Sequence, residues 1–366
     1  MRREMNPTDL RNQTAAGHEE PPVDREFYFQ WHLTERCNQR CLHCYHSAYE
    51  SEGELDDEQA IRVATRLEDA LRAWGRRGAI SLTGGEPWLR RALVLRIVDH
   101  LAQSGAVDRI DLLTNGLLIN RDGCKALSQI PILRRVQLSL EGSSRASHDA
   151  IRGEGSFEGT MMAVERLKEE EIVVALMVTL SRHNAAEVVP ILQLAGDWGV
   201  DVVSFDRFIP EGQASSRTDW LLSADETRET FATIHSWALN NQRPRVLMYR
   251  PLFCLLEPGS PHVGAMCSVG INALTILHDG TVLPCRRLPI PLGNALTDSL
   301  HDIWYSSPVL WQARTPSQLK GRCATCDHLP VCRGCRAMAL AVTGDWLEED
   351  PQCWREQPGV PVSSGA

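Results

Sequence analysis

The sequence contains no apolar run of about 18 residues, so no transmembrane helix is expected. It also has no excess of positive charge. Lys plus Arg number 38 against 47 for Asp plus Glu, a formal net charge of -9. That balance argues against a partner gripped by non-specific attraction, such as nucleic acid or an anionic membrane surface. The first residues, MRREMNPTDLRNQTAAGHEEPP, lack the apolar core of an export signal. The expected location is therefore the cytoplasm, and residues 1–26 are expected to be a disordered arm. That arm is too short and polar to be a peptide-binding winged-helix module. What the sequence does have is 43% hydrophobic residues, enough for sizeable cores, and 12 cysteines. Disulfides are rare in the cytosol, so so many thiols point to metal ligation or catalysis. Three of them crowd one loop near the start, Cys124 and Cys254 stand apart, and seven fall within residues 267–353.

Periodicity organises the first 225 residues. Phe27–Thr34, Ala79–Thr83, Arg109–Thr114, Val136–Leu140, Ile172–Leu180 and Val202–Phe208 read as strands. Between them lie helical patterns: one through Ile61, Ala64, Leu67, Leu71 and Trp74 with Asp56 and Asp57 as cap candidates, then Leu93–Leu101, Phe157–Glu170 and Ala185–Trp198. Six strands alternating with helices imply a parallel sheet with right-handed crossovers, either doubly wound or an open barrel. Four unusual loops each follow a strand: Cys37–Cys44, Gly84–Pro87, Asn115-Gly116 and Glu141-Gly142. In parallel α/β folds that edge binds ligands, so the four loops are expected to converge. A bridging helix, Thr227–Asn240, and a Pro/Gly-rich linker occupy 226–261. Residues 262–354 are cysteine-dense with few long periodic segments, which suggests a region held by metals. Residues 355–366 read as a flexible tail.

Cys37-x-x-x-Cys41-x-x-Cys44 places three thiolates within reach of one small iron–sulfide cube. A [4Fe–4S] electron carrier takes four cysteines; three leave one iron open to an outside ligand. The competing occupant is zinc, which would need His43 or His46 as a fourth ligand. The stretch LTERCNQRCLHCYH resembles the radical S-adenosylmethionine (SAM) superfamily. The resemblance implies that SAM chelates the open iron. Its reductive cleavage then yields methionine and a 5′-deoxyadenosyl radical, which abstracts a substrate hydrogen. The fold it implies is an α/β partial (β/α)6 TIM-like barrel over residues 27–225.

The same resemblance extends to other strand ends. Gly84-Gly85-Glu86-Pro87 is similar to the loop that meets the SAM amino group, where glycine permits close backbone approach. Ser139-Leu140-Glu141-Gly142 resembles a Ser-x-Asp-Gly stretch near the SAM ribose or carboxylate, with Glu141 in place of Asp. Asn115 belongs with these SAM contacts, and Arg152 matches an arginine that pairs with the SAM carboxylate. Tyr45 either stacks near the adenine or packs.

At the rear, Cys267 and Cys285 fit C-x12-G-x4-C through Gly280, and Cys323-x2-Cys326-x5-Cys332-x2-Cys335 and Cys353 follow. With HDGTVLPC, LGN and TGDWLEEDPQC, this resembles the small SPASM domain, which carries two auxiliary iron–sulfur clusters. The resemblance implies one cluster on Cys323, Cys326, Cys332 and Cys353, and another on Cys267, Cys285 and Cys335 with Cys254 as a candidate fourth ligand. Two zinc sites are the alternative reading of these cysteines. Cys124 lies outside every motif, as an inert buried thiol would.

SPASM-bearing relatives imply three substrate classes. The first is a ribosomally made peptide undergoing maturation, with recognition by a separate protein. The second is a tetrapyrrole side chain in haem or haem d1 biosynthesis. The third, oxidation of a sulfatase Ser or Cys, typically has Asp after the cysteine matching Cys285; here Arg286-Arg287 follows. Those arginines and Arg207 are candidate contacts for an acidic leader peptide or for propionates. A flavodoxin or ferredoxin is the implied electron donor. The reading from another class is a non-enzymatic iron–sulfur carrier or zinc-scaffolded binding protein.

Overall fold

A computed structural model describes residues 26–50, 52–260 and 263–355. The expected arm, except Glu26, and the expected tail, except Arg355, lie outside these residues. Glu26 opens the first strand and is ion-paired with Arg109.

The first six strands are β1 (Glu26–His32), β2 (Arg77–Thr83), β3 (Val107–Leu113), β4 (Leu133–Ser139), β5 (Val174–Leu180) and β6 (Val202–Arg207). They lie side by side in chain order and all pair parallel, so each connection crosses over the same way. The crossovers carry α1 (Asp57–Trp74), α2 (Arg91–Ser104), α3 (Arg121–Ser128), α4 (Arg145–Arg152), α5 (Ser156–Glu169) and α6 (Val188–Asp197). The (β/α)6 expectation holds, with strand ends shifted by at most three residues.

Local chemistry explains the elements. In β1 the alternation is clean. Phe27, Phe29 and Trp31 are fully buried on one face, while Tyr28 and Gln30 face the other and are only partly covered. Phe27 and Phe29 pack on Trp74 of α1, which fixes that helix against the outer face. Each such aromatic contributes about 1.5–3 kcal/mol by leaving water. Asp56 caps α1 in a reciprocal box with Gln59, and Gly75 ends the helix in the left-handed conformation, φ 63°. The Cys124 side chain is buried in α3.

The bridging helix α7 (Ala224–Asn240) is present, capped by Ser223 and Glu226. β7 (Arg245–Leu247) then adds parallel to β6. The cysteine-dense region departs from expectation. Its strand β8 (Ala273–Ile276) pairs parallel with β1, and β9 (Thr281–Leu283) and β10 (Gly293–Asn294) follow antiparallel. The rear segment therefore extends the main sheet to ten strands rather than standing beside it. β8 is only four residues long and buried throughout, with no alternation to announce a strand. Short helices α8 (Leu300–Ser306), α9 (Pro308–Arg314) and α10 (Arg336–Thr343) complete the region. No helix among the described residues is long and apolar enough to cross a membrane.

Candidate iron–sulfur and SAM site

The chain leaves β1 at His32 and turns at once into the cysteine loop. Backbone hydrogen bonds fasten that loop to the end of β2. Gly85 N donates to Thr34 O (2.7 Å) and Glu86 N to Arg36 O (2.8 Å). Only glycine fits at 85, because a Cβ there would lie 2.3 Å from the Arg36 carbonyl oxygen. Glu86 is fully buried. Its carboxylate accepts from Trp88 N (2.9 Å), Thr114 Oγ1 (2.7 Å) and Asn115 N (2.8 Å). Burial raises its pKa, and the three donors oppose that rise. The Glu86 side chain thus knots the β2 and β3 loops together, and Pro87 begins the next turn at its first position.

The loops converge on the three thiols. Asn115 Nδ2 reaches Asn38 Oδ1 (2.7 Å) and the Cys37 sulfur (3.8 Å). Gln39 N donates to the Cys37 sulfur at 3.4 Å. Arg152, ending α4, places Nη1 3.8 Å from the Cys41 sulfur. Its guanidinium also has a carboxylate partner within the chain. It forks onto the Glu141 carboxylate at 3.0 and 3.2 Å. Glu141 is a hub, 1% exposed, also meeting His43 Nε2 (3.3 Å) and Thr179 N (2.8 Å). Burial raises the Glu141 carboxyl, but His43 and Arg152 outweigh it and hold the pKa at about 2. Ser139 ends β4 in register with Met177.

Tyr45 packs rather than standing free. The Arg286 and Arg287 guanidiniums lie 4.8 and 5.7 Å from its ring centre. His46 uses both ring nitrogens, Nδ1 with Glu35 (2.6 Å) and Nε2 with Gly84 O (3.2 Å). His43 turns Nε2 to Glu141 and leaves Nδ1 buried without a hydrogen-bond partner. Gly212, after β6, was missed by sequence reasoning. Its φ is 58°, and a Cβ there would lie 2.1 Å from Tyr45 O, so that loop seals the cysteine loop from above. A lone Gly in a coil leaves no periodic signal.

The rear cysteines form two groups. Cys323, Cys326, Cys332 and Cys353 line one cavity with Arg322, Arg333 and Arg355. Arg355 Nη1 lies 3.3 Å from the Cys326 sulfur and the buried Arg336 Nη2 3.8 Å from the Cys323 sulfur. Cys267, Cys285 and Cys335 interact with one another instead. Cys254, a candidate fourth ligand for this second group, has its thiol beside that of Cys332 in the first. The short turn Phe253–Leu255 and the close approach of Gly264 to Cys254 set that position. Arg207 is likewise not free for substrate. It forks onto the buried Asp350 at 3.0 and 2.7 Å, and Asp350 also accepts from Cys335 N at 2.7 Å.

The donor sets fit iron. Burial pushes the Cys37 thiol up to about 11 and Cys285 up to about 12. Those protons must leave before the thiols ligate a metal, and the nearby guanidinium and amide donors would then offset the charge of the thiolates. All 12 cysteines are free thiols.

A parallel α/β barrel with a three-thiol site at the carboxyl edge of its sheet and two further thiol groups behind it defines an iron–sulfur enzyme. Residues 31–195 match the family described as the radical SAM superfamily, and residues 267–336 match SPASM, an iron–sulfur cluster-binding domain. The AdoMet-dependent heme synthase of Methanosarcina barkeri is 30% identical over 345 residues, covering 88% of this chain and 95% of that protein. The mycofactocin maturase MftC of Mycobacterium ulcerans is 29% identical over 344 residues, covering 90% and 88%. Among solved structures, anSMEcpe with bound AdoMet superposes with a TM-score of 0.73 at 19% identity, covering 89% and 94%. Streptococcus suis SuiB bound to precursor peptide SuiA superposes at 0.71 and 14%, covering 91% and 76%. The chain belongs to the radical SAM superfamily and carries a SPASM domain. It is an iron–sulfur enzyme that uses a [4Fe–4S] cluster and SAM, with auxiliary clusters in the SPASM domain, and not an inert carrier or zinc scaffold.

Proposed function

We propose that Cys37, Cys41 and Cys44 hold the cluster that binds SAM, and that the radical released there abstracts hydrogen from a substrate inside the barrel. The observation that carries this is the convergence of four strand-end loops on three thiols that have no fourth cysteine among them. The cluster, when bound, supplies the electron that splits SAM into methionine and a 5′-deoxyadenosyl radical. The chain's own residues do the positioning. Gly84 and Gly85 let the backbone come close enough to contact the SAM amino group, and Glu86 and Pro87 keep that loop in place. Asn115 and Ser139 offer polar contacts at neighbouring strand ends. Arg152, held by Glu141, sets a cation beside Cys41.

Behind this site, Cys323, Cys326, Cys332 and Cys353 hold one auxiliary cluster, and Cys267, Cys285 and Cys335 a second. Residues 27–225 then form the radical domain, 226–261 the bridge and 262–354 the auxiliary-cluster domain. Twelve free thiols suit a reducing compartment, so we place the enzyme in the cytoplasm with a flavodoxin or ferredoxin as donor.

For the substrate, a ribosomally made peptide is the first reading, supported by the relative named as a mycofactocin maturase and by the shared fold of SuiB bound to its precursor peptide. A separate recognition protein would then present the peptide. The second reading, a tetrapyrrole, is favoured by the 30% identity to a heme synthase over 95% of its length. Anaerobic reconstitution with iron, sulfide, SAM and dithionite tests the chemistry through release of 5′-deoxyadenosine. No product from fully loaded, reduced protein would sink the proposal. A mass change in a precursor peptide or in iron coproporphyrin then chooses between the substrates.

A further inference from the structure

The inner faces of parallel barrels are ordinarily filled by branched apolar side chains. Strands β1–β4 reverse that, while Ala175, Val202 and Leu247 form a small buried apolar cluster on the same face of β5–β7. The outward set of β1–β4 is apolar and sealed, with Phe29, Trp31, Ile80, Leu82 and Val136 at most 1% exposed. Their inward set includes Tyr28, Gln30, Ser81, Asp111, Arg135 and Gln137, several of them partly open. A half-open polar interior is a chamber rather than a core.

Charge inside the chamber does not balance. Asp111 is met by Arg134 (2.6 Å) and Arg135 (3.1 Å), with Arg109 at 4.0 Å. Arg135 Nε is buried without a hydrogen-bond partner. The strand register puts Tyr28, Arg135 and Asp206, which holds Arg250, on one interior face. Arg250 Nη2 donates to Asp206 (3.1 Å), yet its side chain remains 41% exposed. Arg287 shares that same carboxylate's field but donates to the Arg207 carbonyl (3.2 Å), and no ion-pair partner reaches it among the described residues. Arg286 is only loosely held, 3.9 Å from Glu35 and 3.7 Å from Glu211, and its Nε is also buried and unpartnered. Cationic groups therefore run from Arg135 through Arg250 and Arg287 to the Tyr45 ring, which follows Cys44 directly in the chain. Of its five donors, Arg250 places Nε and Nη2 on Asp206 and Nη1 on the Tyr249 carbonyl, whereas among the described residues Arg287 donates from Nη1 alone.

We propose that this interior is an anion chamber that seats a substrate by two or more carboxylates, with Arg250 and Arg287 as the main anchors and Arg135 below them. This rests on the radical chemistry proposed above, whose product arises at the Cys44 end of the same chamber. The shared ligand chemistry is the carboxylate. Porphyrin propionates carry it, and so do the acidic side chains and carboxyl terminus of a peptide.

The test is equilibrium dialysis against the reconstituted holoenzyme under anaerobic conditions. One arm compares coproporphyrin III with its tetramethyl ester. The other compares an acidic peptide bearing a free carboxyl terminus with its fully amidated, Gln/Asn-substituted form. The acid of at least one pair should bind about tenfold or more tighter than its neutral form, the scale of a lost charged hydrogen bond. Arg250→Gln and Arg287→Gln should each erase most of that preference, while Arg145→Gln, on the exposed start of α4, should keep it. The arm that responds names the source of the carboxylates. Equal binding of acid and neutral forms in both arms, or variants that bind the acid as the wild type does, overturns the proposal. If a variant fails to load iron, the acid-against-neutral comparison on the wild type still decides. Release of 5′-deoxyadenosine by the same preparation without substrate reports separately on the radical reading.

Discussion

Arg152 Nη1 stands 3.8 Å from the Cys41 sulfur while the rest of its guanidinium forks onto Glu141. Glu141 in turn meets His43, two residues along the cysteine loop from Cys41. One buried carboxylate thereby ties the end of α4 to the loop on both sides of Cys41. Ligand-orienting partners of this kind change metal-site affinity or activity about 10–100-fold when removed. Glu141→Ala should lower SAM affinity and the rate of 5′-deoxyadenosine release by that order, and Glu141→Asp by less. Isothermal titration of SAM into reconstituted protein checks this. An unchanged affinity in Glu141→Ala would show that the hub serves folding only.

The three front thiols should be separable from the rest. A Cys37→Ala, Cys41→Ala, Cys44→Ala variant is expected to lose about four irons per chain and all SAM cleavage. It should keep the iron held behind. Iron and sulfide quantification on the as-reconstituted proteins measures the difference. Loss of all iron would mean that the rear sites depend on the front one.

Cys254 gives a sharper count. Because its thiol lies beside that of Cys332, Cys254→Ala should leave the iron content and the signals of the Cys267, Cys285 and Cys335 site unchanged. Electron paramagnetic resonance of the front-triple variant with and without Cys254→Ala reads this directly. Loss of one cluster signal would assign Cys254 as a ligand after all.

Glu86 is expected to matter for stability more than for contact with a ligand. Glu86→Gln turns one oxygen, an acceptor, into a donor facing the buried donors of Trp88, Thr114 or Asn115. An unmet buried group of this kind costs about 1–3 kcal/mol. Thermal unfolding of the apoprotein should show a lower Tm, and no change would place the knot elsewhere.

Asp111 predicts an acid-side loss of stability. Burial raises its carboxyl, but Arg134 and Arg135 more than reverse this and hold it well below the usual carboxylate range. A folded pKa below the unfolded one, about 3.9, means that the contribution is fully present above the unfolded value. It is lost as pH falls through the folded value. Asp111→Asn should therefore be less stable at neutral pH and show a flatter decline below about pH 4. Tm measured across that range distinguishes this from a uniform loss.

Much of this was legible in one dimension. Six strands and their helices announce themselves because outward residues such as Phe27, Phe29 and Trp31 must alternate to be buried against helices. Cys37, Cys41 and Cys44 are legible because ligands that share one cluster from a single loop must be close in sequence. Gly85 is legible because its backbone needs the space. The sequence also determined that the rear cysteines are too many and too regular for chance. It could not show which loops touch. That Glu86 turns inward to bind Thr114, that Arg152 faces Glu141, that Cys254 lies by Cys332 and that β8 pairs with β1 all depend on residues brought together by long-range packing. Only the parallel pairing of the strands decided that Arg135 and the Asp206–Arg250 pair share one face, because strand spacing and register, not chain distance, set which charges meet.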